Sequence, residues 1–238
     1  MALKAISFDV WNTLLKIGPF FKVIASELSL LAGLKEEAVE DIIWKVYGRI
    51  KELRRGGLIN DEEIVGECLT ILSNELGISQ HVIRRAVARA LLSERLGQLI
   101  IPGAFDTLKE LKNMGFKLAT LGNVIFWPGS YNRLILEKVG LGDYLPVQVY
   151  ADEIKCSKPK GRAFLTLAKE LGVKPGEILH VGDSFYEDFL GALQAGFKAA
   201  LIDPNGPPSE FRGIAYVIRD VKELRELVSR GNLNGKIL

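Results

Sequence analysis

From Pro102 onward the chain repeats one pattern: a short apolar run, a polar break, then a stretch with apolar residues at three- and four-residue intervals. Strand-like runs at Phe116–Gly122, Val147–Ala151, Glu177–Val181, Phe197–Ile202 and Ala215–Ile218 alternate with helical periodicity over Ala104–Met114, Tyr131–Val139, Gly161–Leu171 and Asp188–Ala195. Strands separated by helices cannot close as hairpins. They predict a doubly wound parallel α/β sheet with helices on both faces. The apolar run Leu3–Phe8, ended by Asp9, reads as a further buried strand of the same sheet.

Between these parts the periodicity changes. Phe20–Ala32, Lys35–Leu53, Asp61–Leu76 and Gln80–Leu96 read as four amphipathic helices, broken at Gly33, Gly56-Gly57 and Gly77, with Asn60 and Ser79 as N-caps. The expected organisation is a core made of residues 1–15 and 100–238 and a four-helix insertion over 16–99, with Trp44 and Tyr47 in the core of the insertion. The segment Asp203-Pro204-Asn205-Gly206-Pro207-Pro208 reads as a rigid connector.

Bulk properties exclude several classes of function. A net charge of +2, with no basic arm or interleaved aromatic patch, argues against a nucleic-acid partner. No apolar run approaches the roughly 18 residues of a membrane span, and the N-terminus enters a strand without a cationic leader. The expectation is a cytoplasmic protein, monomeric or weakly dimeric. Cys68 and Cys156 are isolated and read as structural thiols. Four Gln, two Cys and two Met beside abundant Lys, Arg, Glu and Ile lean toward a heat-adapted source.

Alone, an acid such as Asp9 reads as a turn residue or a helix cap. Ser157-Lys158-Pro159 and Val181-Gly182-Asp183-Ser184-Phe185-Tyr186-Glu187-Asp188 change that, because each also follows an apolar strand-like run. With these three motifs in order over nearly its whole length, the chain resembles the haloacid dehalogenase superfamily of Asp-nucleophile hydrolases, mostly Mg-dependent phosphatases. The resemblance implies a Rossmann-like core with a helical cap inserted after the first motif. Only about 35 residues lie between Asn123 and Lys158, too few for a second cap.

It also implies roles. Asp9 is the nucleophile, and Lys158 bridges it to the phosphate. Asp9, Asp183 and the Trp11 carbonyl hold Mg²⁺. Asp188 is a further ligand or a support, with capping of its own helix as the alternative and Glu187 as a competitor. Clustered carboxylates cannot all stay ionised without a cation, and oxygen donors suit Mg²⁺. The expected substrate is a small anionic, phosphorylated molecule held near Gly122, Asn123 and Lys158.

Two positions depart from the family's phosphatases. They carry a second Asp two residues after the nucleophile, as general acid and base; here Trp11 stands there, which leaves no titratable group. An aromatic residue at this position resembles the 2-haloacid dehalogenases, which need no leaving-group proton and no metal. Those enzymes, however, have neutral residues in place of Asp183. The second departure is Gly122, where a Ser or Thr usually bonds a phosphate oxygen; Thr120 lies too far back on the strand, so weakened phosphate binding is expected. A metal-dependent phosphatase is the primary reading, with a metal-independent dehalogenase and a low-activity ligand-binding member as alternatives. His180 reads as a hydrogen-bonded core residue and His81 as exposed. The run Lys51, Arg54, Arg55 is either a solvated helix face or, if it points into the cleft, a source of anion selectivity through Arg54 or Arg55.

Overall fold

The computed structural model describes residues 2–229. A seven-stranded sheet is built from β1 (Ala5–Phe8), β2 (Lys117–Gly122), β3 (Val147–Tyr150), β4 (Ile178–Gly182), β5 (Lys198–Ile202), β6 (Ser209–Phe211) and β7 (Ala215–Ile218), in the order β3-β2-β1-β4-β5-β7-β6. All pairs are parallel except β6 with β7. The antiparallel edge strand β6 directly follows the expected connector. It is exposed throughout and lacks apolar alternation, so no periodic signal marked it.

Alternation along the strands separates two apolar layers. Ile6, Phe8, Leu118, Leu179 and Val181 point into one, with Leu108, Leu111, Ile135, Leu136 and Leu224 from α5 (Ala104–Asn113), α6 (Gly129–Lys138) and α10 (Glu223–Ser229). Ala5, Ala119, Leu121 and Ile178 point into the other, with Phe164, Leu167, Leu171 and Ala192 from α8 (Gly161–Leu171) and α9 (Gly191–Gln194). A short helix α7 (Ala151–Ile154) follows β3.

Four helices fill the stretch between β1 and α5: α1 (Ile17–Ala32), α2 (Glu36–Arg55), α3 (Ile64–Leu76) and α4 (Gln80–Ala90). Helix α1 packs on both α2 and α4, and α2 packs on α3. The expected helices exist, but their ends move. Asn60 does not cap α3. It accepts a hydrogen bond from the Glu62 N–H at 3.0 Å and closes a separate turn, so the helix begins at Ile64. Ser79 occupies the N-cap of α4 without a side-chain bond. Helix α4 ends at Ala90 rather than near Leu96, because Ser93 accepts from the Arg95 N–H and starts a 3₁₀ segment, Glu94–Leu99. Trp44 is 40% exposed, contrary to its expected place in the core. Its edge meets Phe21 and Tyr47, and Tyr47 turns toward the cleft described next. No helix among the described residues is long and apolar enough to cross a membrane.

Candidate active site

Parallel strands deliver their C-terminal ends to one edge, where the adjacent strands β2, β1 and β4 bring Asn123, Asp9 and Asp183 together and the loop before α8 brings Lys158. Phe8 is in register with Thr120 and Val181, so Asp9 follows β1 beside the ends of β2 and β4. Its N–H bonds the Val181 carbonyl at 2.9 Å. The chain then turns sharply: Asn12 has a left-handed φ of 59°, which Asn tolerates better than most residues. The Asn12 amide oxygen accepts from Ile17 N–H at 3.3 Å, tying the turn to α1.

Lys158 is the electrostatic centre. The residue is 1% exposed, and its ammonium reaches Asp9 Oδ1 at 2.7 Å, Asp188 Oδ1 at 2.6 Å and the Leu121 carbonyl at 2.6 Å. Three acceptors use all three of its donors. Burial alone would lower its pKa, but Asp188 and Asp9 outweigh that and raise it. Asp188 lies on a π-helical turn, Phe185–Leu190, that runs into α9. A Cβ at Gly182 would overlap the Asp188 carboxyl, so β4 must end in glycine for Asp188 to reach the site. Asp188 also accepts from Ser184 N–H at 3.0 Å and contacts His180 Nε2 at 3.2 Å. Burial opposes its ionisation, yet Lys158 and His180 hold its carboxyl well below the usual range.

His180 is buried, and its Nδ1 lies 2.8 Å from Ser7 Oγ. Burial lowers its pKa, so the neutral ring donates from Nε2 to Asp188 and accepts at Nδ1. This is the core role expected of it; His81 is exposed, as expected.

Asp9, Asp183 and Asp188 present oxygens that all lie within 4.8 Å of one another. One ammonium cannot neutralise three carboxylates. Burial, then Asp188 and Asp183, push Asp9 up to about 7 against the pull of Lys158. Burial and Asp188 push Asp183 up to about 6. An all-oxygen cluster in which Asp9 and Asp183 resist ionisation is the donor set a hard divalent cation fits.

The cleft above the cluster is walled by Trp11, Ile17, Phe21, Tyr47, Ile125 and Trp127. Trp11 belongs to this wall. Its ring stacks on Phe20 at 5.4 Å and meets Trp127 edge-on at 5.6 Å. The amide oxygen of buried Asn132 accepts from both indoles, at 3.1 Å from Trp11 and 2.7 Å from Trp127. Tyr47 is a cleft residue that periodicity assigned to packing; burial and then Asp183 raise its pKa.

The phosphate-loop candidates are placed less simply. Gly122 ends β2, paired with Tyr150, and a Cβ on it would lie 3.0 Å from the Tyr150 ring. The added Cβ of any Ser or Thr there would press on that ring. Asn123 grips the lysine loop: its amide donates to Lys158 O and Glu187 Oε2 at 3.0 Å each, and its oxygen accepts from Lys158 N–H at 2.8 Å. Arg54 is no solvated residue. It is 7% exposed and donates to Glu187 Oε1 at 3.2 Å and to the Val124 carbonyl at 2.8 Å. Arg55 is exposed and covers the Tyr186 ring at 4.8 Å. Lys51, one turn before Arg55 on α2, lines the cleft. Cys68 and Cys156 are buried free thiols.

Known proteins place this arrangement. The profile of the haloacid dehalogenase-like hydrolases matches residues 3–196. A glyceraldehyde 3-phosphate phosphatase from Methanothermobacter thermautotrophicus is 27% identical over 95% of this chain and 100% of its own length. The (S)-2-haloacid dehalogenase 4A of Burkholderia cepacia is 26% identical over 96% of both chains. A solved HAD phosphatase from Thermococcus onnurineus superposes with a TM-score of 0.64 at 26% identity, covering 95% of this chain and 98% of the other. With its Asp9, Lys158 and Asp183 motifs gathered at one sheet edge and the family profile spanning most of its length, the chain belongs to the haloacid dehalogenase-like hydrolases.

Proposed function

We propose that the protein is a Mg²⁺-dependent phosphatase of small phosphorylated molecules, acting from the cytoplasm, with residues 16–99 as a cap over a core of residues 1–15 and 100–238. The observation that carries this reading is the cluster of three carboxylates beside one ammonium, which bonds Asp9 and Asp188, a charge balance that a divalent cation completes. Asp9, Asp183 and the Trp11 carbonyl would hold Mg²⁺. Asp188, whose oxygens already accept from Lys158, His180 and Ser184, supports them. When bound, the cation would supply charge neutralisation at the phosphoryl oxygens.

Asp9 attacks phosphorus, forming an aspartyl-phosphate as the bond to the leaving oxygen breaks. Lys158 pulls the Asp9 carboxyl toward its ionised form and offsets charge gathering on the transferring group. Water then attacks the phosphorus and frees Asp9. Backbone N–H groups at Gly122 and Asn123 bind the phosphate. Lys51, facing the cleft from α2, is a better source of cap selectivity for anions than Arg54 or Arg55, since Glu187 engages Arg54 and Arg55 covers Tyr186. With Trp11 in the general-acid position, esters with good leaving groups turn over faster than alkyl esters.

The test is phosphate release from p-nitrophenyl phosphate by wild type and Asp9→Asn, with Mg²⁺ and with EDTA. Loss of activity on both the mutation and chelation supports the reading; activity that survives Asp9→Asn refutes it. Trp11 favours one other reading, 2-haloacid dehalogenation, in which Asp9 displaces halide from carbon. Halide release that persists in EDTA would select it, whereas Asp183, a costly charge beside Asp9 without a cation, speaks against it.

A further inference from the structure

Lys158 meets its three acceptors only if its backbone is held to within a fraction of an ångström, because a buried lysine on a flexible stem has no water to substitute for a lost partner. The backbone is fixed from two sides, and both lead to the inserted helices. On one side Asn123 clamps the Lys158 N–H and carbonyl, and its amide also reaches Glu187, which Arg54 of α2 engages. On the other side stands Asp61, in the loop between α2 and α3. Its carboxylate accepts from Ser157 Oγ at 2.6 Å, from Ser157 N–H at 3.0 Å and from the Lys160 ammonium at 2.7 Å. The side chain is 10% exposed. Burial opposes its charge, but the bonds from Lys160 and Ser157 lower its pKa. One residue further on, the Glu62 carbonyl accepts from Lys155 at 2.9 Å.

We propose that Asp61 is a positioning residue for Lys158, holding Ser157 so that the ammonium falls between Asp9 and Asp188 while the α2–α3 loop is seated on the core. This rests on the role given to Lys158 above. The working contact is Asp61 with Ser157, the residue next to Lys158. The Lys160 side chain is 56% exposed, and ion pairs at such positions contribute little. Seating of the helical segment and assembly of the charged site thus become one event. A substrate that holds the segment down also completes the site that acts on it.

The experiment compares Asp61→Ala with Lys160→Met in two assays. In steady-state turnover of p-nitrophenyl phosphate, Asp61→Ala is expected to lower kcat about tenfold or more with little change in KM, while Lys160→Met stays near wild type. In a Lys158→Met background, Asp61→Ala should add no further loss, because it acts through the missing ammonium. The second assay does not need activity. Acylation of lysine amines, read by mass spectrometry, should reach Lys158 faster in Asp61→Ala than in wild type or Lys160→Met, with buried Lys198 unchanged as the internal standard. Lys158 as protected in Asp61→Ala as in wild type, or an equal kcat loss with and without Lys158, would overturn the proposal. If wild type releases no phosphate, the phosphatase reading fails, and the labelling still decides the role of Asp61.

Discussion

Replacing Asp183 with Asn should stabilise the metal-free protein, by an amount the site itself sets. Asp183 titrates near 6 in the folded chain, against 3.8 for an ordinary Asp. A carboxyl with a raised folded-state pKa favours folding while it is protonated, and that contribution is lost as pH rises through the folded value. Below about pH 3.8 the substitution should therefore change little. Between there and pH 6 the gap opens, and at pH 8 the rise from 3.8 to about 6 corresponds to roughly 3 kcal/mol in favour of the variant. For a chain of this size that is about 6–12 °C in Tm. Asn also keeps an amide oxygen to receive the Asn12 side-chain amide, which Asp183 now accepts at 3.5 Å. The assay is thermal unfolding of both proteins from pH 4 to pH 8 in EDTA and in millimolar Mg²⁺. In Mg²⁺ the order should invert, since only wild type keeps the full set of charged donors. A variant that melts at or below wild type in EDTA at pH 8, or a gap that ignores pH, would refute the frustrated-cluster account.

Other perturbations give sharp outcomes. Lys158→Met should reduce kcat by about 10²- to 10³-fold, the scale for removing one preorganised donor from a reacting centre; a smaller loss in steady-state turnover would deny the lysine that role. Arg54→Ala should destabilise by about 3–5 kcal/mol in urea titration, because it takes the ion-pair partner from buried Glu187, to which Asn123 offers a neutral amide. Adding Glu187→Gln to Arg54→Ala should recover part of that loss, and no recovery would show that Arg54 acts by packing. Trp11→Ala should destabilise by about 3–5 kcal/mol through loss of the stack on Phe20 and the edge contact with Trp127, measured by the same titration.

What could be read in the residues divides along physical lines. The strands that build the edge, and the acids and lysine placed on it, were legible because a buried parallel strand is a continuous apolar run that stops abruptly where a polar group is needed. Local signals gave the helices but not their ends: Ser93 restarts the chain in a tighter helix, and Asn60 closes a turn instead of a cap. β6 left no trace because an exposed edge strand needs no periodic pattern. At the site, the partners of Arg54, Asp61 and Tyr47 were illegible. Each depends on a contact across 70 or more residues of sequence, or on which way one helix face turns, and a charge run on α2 looks the same facing water or facing Glu187. His180 was legible as a core residue from its place in an apolar strand, although its bond to Asp188 was not.

The contact between Gly122 and Tyr150 bears on how such a site can change over generations. Tyr150 is fully buried and tied to Gln148 through its hydroxyl at 2.9 Å. It leans on Gly129, where any Cβ would overlap it, so the ring has nowhere to retreat. Gly122→Ser alone would force the new Cβ against the ring, an overpacking worth roughly 1–3 kcal/mol, before its hydroxyl gained any anion to hold. Tyr150 trimmed alone would open a cavity of comparable cost. Either single step runs downhill in stability, and only the pair together brings a hydroxyl to the strand end without overpacking. A lineage that has once filled this space with an aromatic ring is held there by its neighbours, and its phosphate contacts must evolve from other parts of the cleft.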